Sequence, residues 1–181
     1  MEIIKTPLEG LLILKPEVFE DERGYFFESF NEEKFLRAGI YEKFLQDNES
    51  KSRKGVLRGL HFQNPPFAQG KLVRVMRGSV LDVAVDIRVQ SPTYGKWESI
   101  VLSGQNKWMY WIPSGFAHGF VTLEDETIFF YKCTNVYNKA SEGSIAWNDP
   151  DLNISWGVND PVISEKDQTG PRFRDFISKF T

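Results

Sequence analysis

The two histidines of this chain each sit in a short apolar segment with glycine and aromatic neighbours. His61 lies in Gly55-Val-Leu-Arg-Gly-Leu-His-Phe-Gln63, and His118 lies in Ile112-Pro-Ser-Gly-Phe-Ala-His-Gly-Phe120. Histidine has the side-chain pKa nearest neutrality, so it is the first candidate for moving a proton. With Cys133 as the single cysteine, two histidines are too few for a Cys/His zinc site. The chemistry that remains is acid–base work without a metal.

Other polar residues stand in apolar surroundings. Arg58 precedes His61 by three residues in one β-like run. Strand parity places the two on opposite faces unless a bulge intervenes, and Gly59 is where a bulge is tolerated. Lys71 opens the run Lys-Leu-Val-Arg-Val-Met, the next strand after the His61 segment. Tyr131, in Ile128-Phe-Phe-Tyr-Lys-Cys133, shares a face with Phe129 and Cys133 by parity. It reads as a core aromatic or as a phenol able to give a proton to a carbanion. Asp167, in Ser164-Glu-Lys-Asp167, reads as a surface acid or as the carboxylate that fixes a histidine tautomer. Glu28 follows the apolar Tyr25-Phe-Phe. Gln46-Asp47-Asn48 reads as a turn.

Strands must position these groups. In Val80-Leu-Asp-Val-Ala-Val-Asp-Ile-Arg88, Leu81, Val83, Val85 and Ile87 fall on one face, while Asp82, Asp86 and Arg88 fall on the other with Val80 and Ala84. Similar β-rich runs recur at Leu11–Leu14, Tyr25–Phe30, Val56–Phe62, Lys71–Met76, Trp97–Leu102, Lys107–Ile112, Gly119–Leu123 and Thr127–Val136. Short strands at this spacing predict a mainly β sandwich or barrel. Asn31–Gly39 reads as one helix, with Asn31 as N-cap and Gly39 as stop. Phe173, Phe176, Ile177 and Phe180 have helical spacing and predict a short helical tail after Pro171.

Composition sets outer bounds. The 181 residues suit a single domain, residues 1–181, with an N-terminal arm. Hydrophobic residues make up 41% and charged residues 26%, an ordinary globular balance. A net charge of −3 offers no basic field for nucleic acid. One cysteine suits a reducing compartment. The charged first residues do not read as a signal peptide, and no apolar run is long enough to span a membrane, so a cytoplasmic protein is expected.

Taken in order, these segments resemble the dTDP-4-dehydrorhamnose 3,5-epimerases. The likeness rests on Asp21-Glu-Arg-Gly-Tyr-Phe-Phe-Glu28, Gln46-Asp-Asn-Glu-Ser50, the His61 segment, Lys71, Val85-Asp-Ile-Arg88, Ser91-Pro-Thr-Tyr-Gly95, the His118 segment, Tyr131-Lys-Cys-Thr134, Glu142-Gly and Ser164-Glu-Lys-Asp167. It runs from about residue 7 to about residue 175. One departure is Trp156-Gly157, where such proteins often have Trp-Pro.

The resemblance implies a cupin-type jelly roll, usually a homodimer, with no cofactor and no metal. It implies a dTDP-linked 4-keto-6-deoxy sugar as substrate, inverted at C3 and C5. His61 then matches the base, Tyr131 the proton donor, Asp167 the acid paired with the base, and Lys71 the residue beside the C4 oxygen. Arg23, Glu28, Gln46, Asn48, Arg58, His118, Glu142 and Lys166 match positions that contact the nucleotide sugar. Epimerisation beside a ketone needs a base on one face, an acid on the other and a positive charge at the developing enolate oxygen. His61, Tyr131 and Lys71 supply those three functions. A single-carbon epimerase of a related ketosugar, and a cupin that binds a nucleotide sugar without turnover, remain the alternatives.

Overall fold

A computed structural model describes residues 1–181. Two antiparallel sheets face one another. The first runs β1-β2-β10-β7-β12-β5, made of Glu2–Lys5, Leu12–Lys15, Met109–Ile112, Lys71–Arg77, Thr127–Cys133 and Gln46–Ser52. The second runs β13-β6-β11-β8-β9, made of Glu142–Ser144, Leu57–Gln63, Phe116–Thr122, Ser79–Asp86 and Trp97–Ser103. A separate hairpin pairs β3 (Val18–Asp21) with β4 (Gly24–Phe27). This is the mainly β sandwich expected of the β-rich runs, and the cupin-type jelly roll that the resemblance implies.

Three apolar clusters hold it together. The interior between the sheets is filled by Val73, Val75, Ala84, Tyr110, Phe120 and Phe129, among others. The outer face of the second sheet carries Leu57, Phe62, Val83, Val85 and Ile87 beneath Ile145, Leu152, Trp156 and Phe180. The outer face of the first sheet is covered by Phe35 and Ile40. Because both faces of β8 are covered, its alternation yields burial on both sides, and Asp82 and Asp86 are fully buried.

The single helix, α1 (Glu32–Arg37), begins where the capping signal places it. Asn31 Oδ1 accepts the backbone N–H of Lys34 at 3.1 Å, and Gly39 follows at φ +85°. No helix is long and apolar enough to cross a membrane.

Two local expectations fail. Gln46-Asp47-Asn48 is no turn: it opens β5, paired residue by residue with β12. The long neighbouring strand supplies hydrogen bonds that override the turn preference of these residues. The C-terminal tail is no α-helix. It makes one 3-10 turn, Phe173–Asp175, then runs extended to a bridge between Phe180 and Arg88. Phe62 packs against Phe176 and Phe180, at ring-centroid distances of 5.2 and 6.2 Å, while Ile177 stays 87% exposed. Burial of aromatics on the second sheet decides the path of this segment, not helical periodicity.

Candidate active site

The interior is apolar at one end and polar at the other, and the change falls within single strands. On β7, Val73 and Val75 enter the core and Lys71 shares their face. On β12, Phe129 enters the core and Tyr131 and Cys133 continue its face toward the open end. Directly opposite them on β5 stand Asn48 and Gln46. These residues all belong to the first sheet.

The second sheet supplies His61 through a bulge. His61 pairs with His118 of β11, but Arg58 pairs with Phe120, so Gly59 and Leu60 of β6 stand opposite Gly119 alone on β11. Arg58 and His61 thereby reach the same interior face as Phe120, against simple parity. Gly59 makes this possible: its φ is +139°, and a Cβ there would lie 2.5 Å from the Cα of Gly119. Gly119 faces it, and a Cβ there would lie 2.9 Å from the Arg58 carbonyl oxygen.

His61, Tyr131 and Lys71 line one cavity of about 300 Å³, with Gln46, Asn48 and Glu142. The base candidate and the acid candidate therefore stand on facing sheets. Asp167 lies behind His61, 4% exposed, with its Oδ1 2.6 Å from His61 Nε2. Burial alone would raise its carboxyl pKa, but the hydrogen bond and charge of His61 hold it below the usual carboxylate range. An ionised Asp167 accepts, so Nε2 carries a proton, and in the neutral imidazole the lone pair then lies on Nδ1. Burial pushes the Tyr131 phenol up, which keeps it protonated at neutral pH. Burial pulls Lys71 down from the ordinary lysine value.

The other expected contact residues divide into three groups. Arg58 lies at the cavity's edge, its guanidinium 3.3 Å from Ser52 Oγ and close enough to favour the Tyr131 phenolate. Lys166 reaches the rim by pairing with Glu142, whose other oxygen accepts Tyr137 Oη at 3.2 Å. His118 does not line the cavity: it is 6% exposed and bound to Asp82 beneath it. Arg23 and Glu28 lie outside the cavity altogether. Arg23 pairs with Asp21 on the exposed hairpin, and Glu28 pairs with Lys34 at 2.8 Å. The hairpin borders a larger open hollow of about 570 Å³ that holds none of the acid–base groups.

Gln63, Gln69, Cys133 and Tyr137 also line the cavity. Parity places Cys133 beside Tyr131 in the sequence, but nothing in the chain marks Tyr137 or Gln69. No group of three or more His, Cys, Asp and Glu side chains converges in metal-binding geometry.

A jelly roll that places a carboxylate-oriented imidazole opposite a protonated phenol, with a lysine on the same cavity, fits the class of acid–base isomerases. The comparisons narrow the class. The model of the family described as dTDP-4-dehydrorhamnose 3,5-epimerase matches residues 5–175. A dTDP-4-dehydrorhamnose 3,5-epimerase of Shigella flexneri is 55% identical over 176 residues, covering 97% of each chain. The crystal structure of the dTDP-4-dehydrorhamnose 3,5-epimerase from Elizabethkingia anophelis NUHP1 superposes with a TM-score of 0.93 at 52% identity, covering 97% of each chain. A dTDP-6-deoxy-D-glucose-3,5-epimerase from Legionella pneumophila Philadelphia 1, in complex with dTDP-4-keto-L-rhamnose, superposes at 0.92 with 48% identity, covering 96% of this chain and 93% of the other. The chain belongs to the dTDP-4-dehydrorhamnose 3,5-epimerase family of isomerases.

Proposed function

We propose that this protein epimerises dTDP-4-dehydro-6-deoxy-D-glucose at C3 and C5, giving dTDP-4-dehydro-L-rhamnose for dTDP-L-rhamnose biosynthesis, without metal or redox cofactor. The observation that carries the reading is the placement of His61 and Tyr131 on facing sheets of one cavity, with Asp167 2.6 Å behind the imidazole. His61 Nδ1 takes the proton from the carbon beside the C4 ketone. The electron pair moves onto the C4 oxygen, where the ammonium of Lys71 stabilises it. Tyr131 then gives its phenolic proton to the opposite face of the same carbon, and the enolate collapses to the inverted ketone. Solvent reprotonates the phenolate and takes the imidazolium proton. The cycle is repeated at the second carbon, with no net change of oxidation state.

Gln46, Asn48, Arg58, Glu142 and Lys166 frame the mouth that holds the nucleotide sugar. Arg58 can bind its pyrophosphate in fork geometry. Arg23 and Glu28 enter the site from a second copy of the chain. This homodimeric reading is supported by the hairpin that carries Arg23: it stands apart from both sheets and leaves Phe19, Tyr25 and Phe26 between 55% and 70% exposed. A cytoplasmic homodimer is the fuller form of the proposal.

The test is proton NMR of dTDP-4-dehydro-6-deoxy-D-glucose with this protein in heavy water. Deuterium at both C3 and C5 is the expected result. Deuterium at one carbon alone makes it a single-carbon epimerase. Binding without exchange of either proton overturns the roles given to His61 and Tyr131.

A further inference from the structure

Gln63 lines the cavity without belonging to the acid–base set, and it is only 5% exposed. It ends β6, two residues beyond His61, directly opposite Glu142 of β13. The hydrogen-bond partners of its side chain are all backbone groups, and they belong to two loops. Its Nε2 donates to the carbonyl oxygens of Phe67 at 2.7 Å and Val136 at 3.1 Å. Its Oε1 accepts the N–H of Asn138 at 2.7 Å. An amide meets two acceptors and one donor in this way in a single orientation, with its nitrogen toward the carbonyls.

Two of these bonds bracket Tyr137. They hold the carbonyl before it and the N–H after it, and the N–H of Tyr137 itself goes to Gln46 Oε1 at 2.7 Å. Gln46 stands on β5 of the first sheet and Gln63 on β6 of the second, so the segment is tied to both sheets. It is the crossing from β12 to β13, the strands that carry Tyr131 and Glu142. Gln69 adds another bond, from its Nε2 to the carbonyl oxygen of Asn135 at 2.7 Å. Tyr137 is 54% exposed, the one exposed aromatic among the lining residues, and its hydroxyl reaches Glu142 at the rim.

We propose that Gln63 is a positioning residue: it fixes the backbone of residues 136–138 so that the Tyr137 ring stands ready at the mouth of the cavity to meet the nucleotide part of the substrate. The inference rests on the proposed reaction, which places the ketosugar between His61 and Tyr131 and so leaves the nucleotide toward the mouth. Gln63 moves no proton, and both N–H groups of its amide are already engaged by backbone. A ring held in place loses less freedom when the ligand arrives. The effect of Gln63 therefore falls on binding and not on proton transfer.

Gln63→Leu keeps the bulk of the side chain and removes all three bonds. It is expected to weaken dTDP binding about tenfold by calorimetry and to raise KM for the nucleotide sugar by a similar factor, with kcat changed less than about threefold. Tyr137→Ala is expected to do the same. Because Gln63 acts through Tyr137, adding Gln63→Leu to Tyr137→Ala weakens dTDP binding by no more than about a further twofold. A glutamine that only stabilised the fold would give losses that multiply, and that result overturns the inference. So does a Gln63→Leu protein that binds dTDP as the unsubstituted protein does, or one that loses kcat at unchanged KM. If Gln63→Leu does not fold, hydrogen exchange of the unsubstituted protein decides. Slow exchange of the Asn138 amide supports the anchor, and exchange at the rate of an open loop overturns it. Failure of the heavy-water assay with the unsubstituted protein counts against the proposed reaction instead, while dTDP binding still decides the role of Gln63.

Discussion

His61 and Asp167 form a close contact, 2.6 Å between Nε2 and Oδ1, and its chemistry is testable apart from the reaction. The folded-state pKa of Asp167 lies below its ordinary value because His61 outweighs the effect of burial. A depressed carboxylate pKa contributes stability that is present above the unfolded pKa of about 3.9 and is lost as pH falls through the lower folded value. The stability difference between the unsubstituted protein and Asp167→Asn is therefore expected to be constant above about pH 5 and to vanish in stronger acid. Urea titrations at a series of pH values measure it, and a difference that grows toward low pH contradicts the assignment. At pH 7 the same substitution is expected to lower kcat about 100-fold or more, because the wrong tautomer leaves Nδ1 protonated.

At the scale of elements, β6 and β11 decide whether His61 and Arg58 face the cavity together. The two strands approach closely at Gly59 and Gly119, and the bulge between them turns both side chains inward. Gly59→Ala introduces a Cβ that meets backbone at 2.5 Å while φ stays at +139°. The expected cost is about 2 kcal/mol or more, from backbone strain and from the clash with β11. Calorimetry gives the Tm loss, and kcat falls with it as His61 leaves its register. A Gly59→Ala protein with unchanged Tm and kcat means that the bulge does not position the base. Gly59 was readable in the sequence as a place where a bulge is tolerated. The bulge itself was not, because it is created by the register of β6 against β11.

For the whole molecule, Arg23 and Glu28 lie outside the cavity of their own chain, and the proposed homodimer is what would bring them to a site. The hairpin that carries Arg23 is paired only with itself, and its apolar side chains are open to solvent. If two copies exchange these residues, His61→Ala and Arg23→Ala proteins are each nearly inactive but regain activity when mixed and allowed to re-form dimers. The mixed dimer holds one site with both intact residues. Activity is read after mixing, and oligomeric mass is read by light scattering. A monomer, or a mixture with no recovery, removes the partner contribution.

The order of residues along the chain determined much of this protein. Period-2 alternation marked β8, β-rich runs marked most other long strands, and Asn31 with Gly39 marked the helix, because these signals are local. The ordered motifs gave the family and nominated His61, Lys71, Tyr131 and Asp167. Tertiary structure decided what depended on partners. β5 is a strand because β12 pairs with it, despite its turn-like residues. The tail is extended because the second sheet offers an apolar face for Phe176 and Phe180. Asp82 was visible as a charge on an alternating strand, but its partner, 36 residues away, was not. The 106 residues separating His61 from Asp167 hid their contact in the same way. Such pairings arise only when packing of the apolar faces brings distant strands into one interior, and this is why the sequence could name the groups but not arrange them.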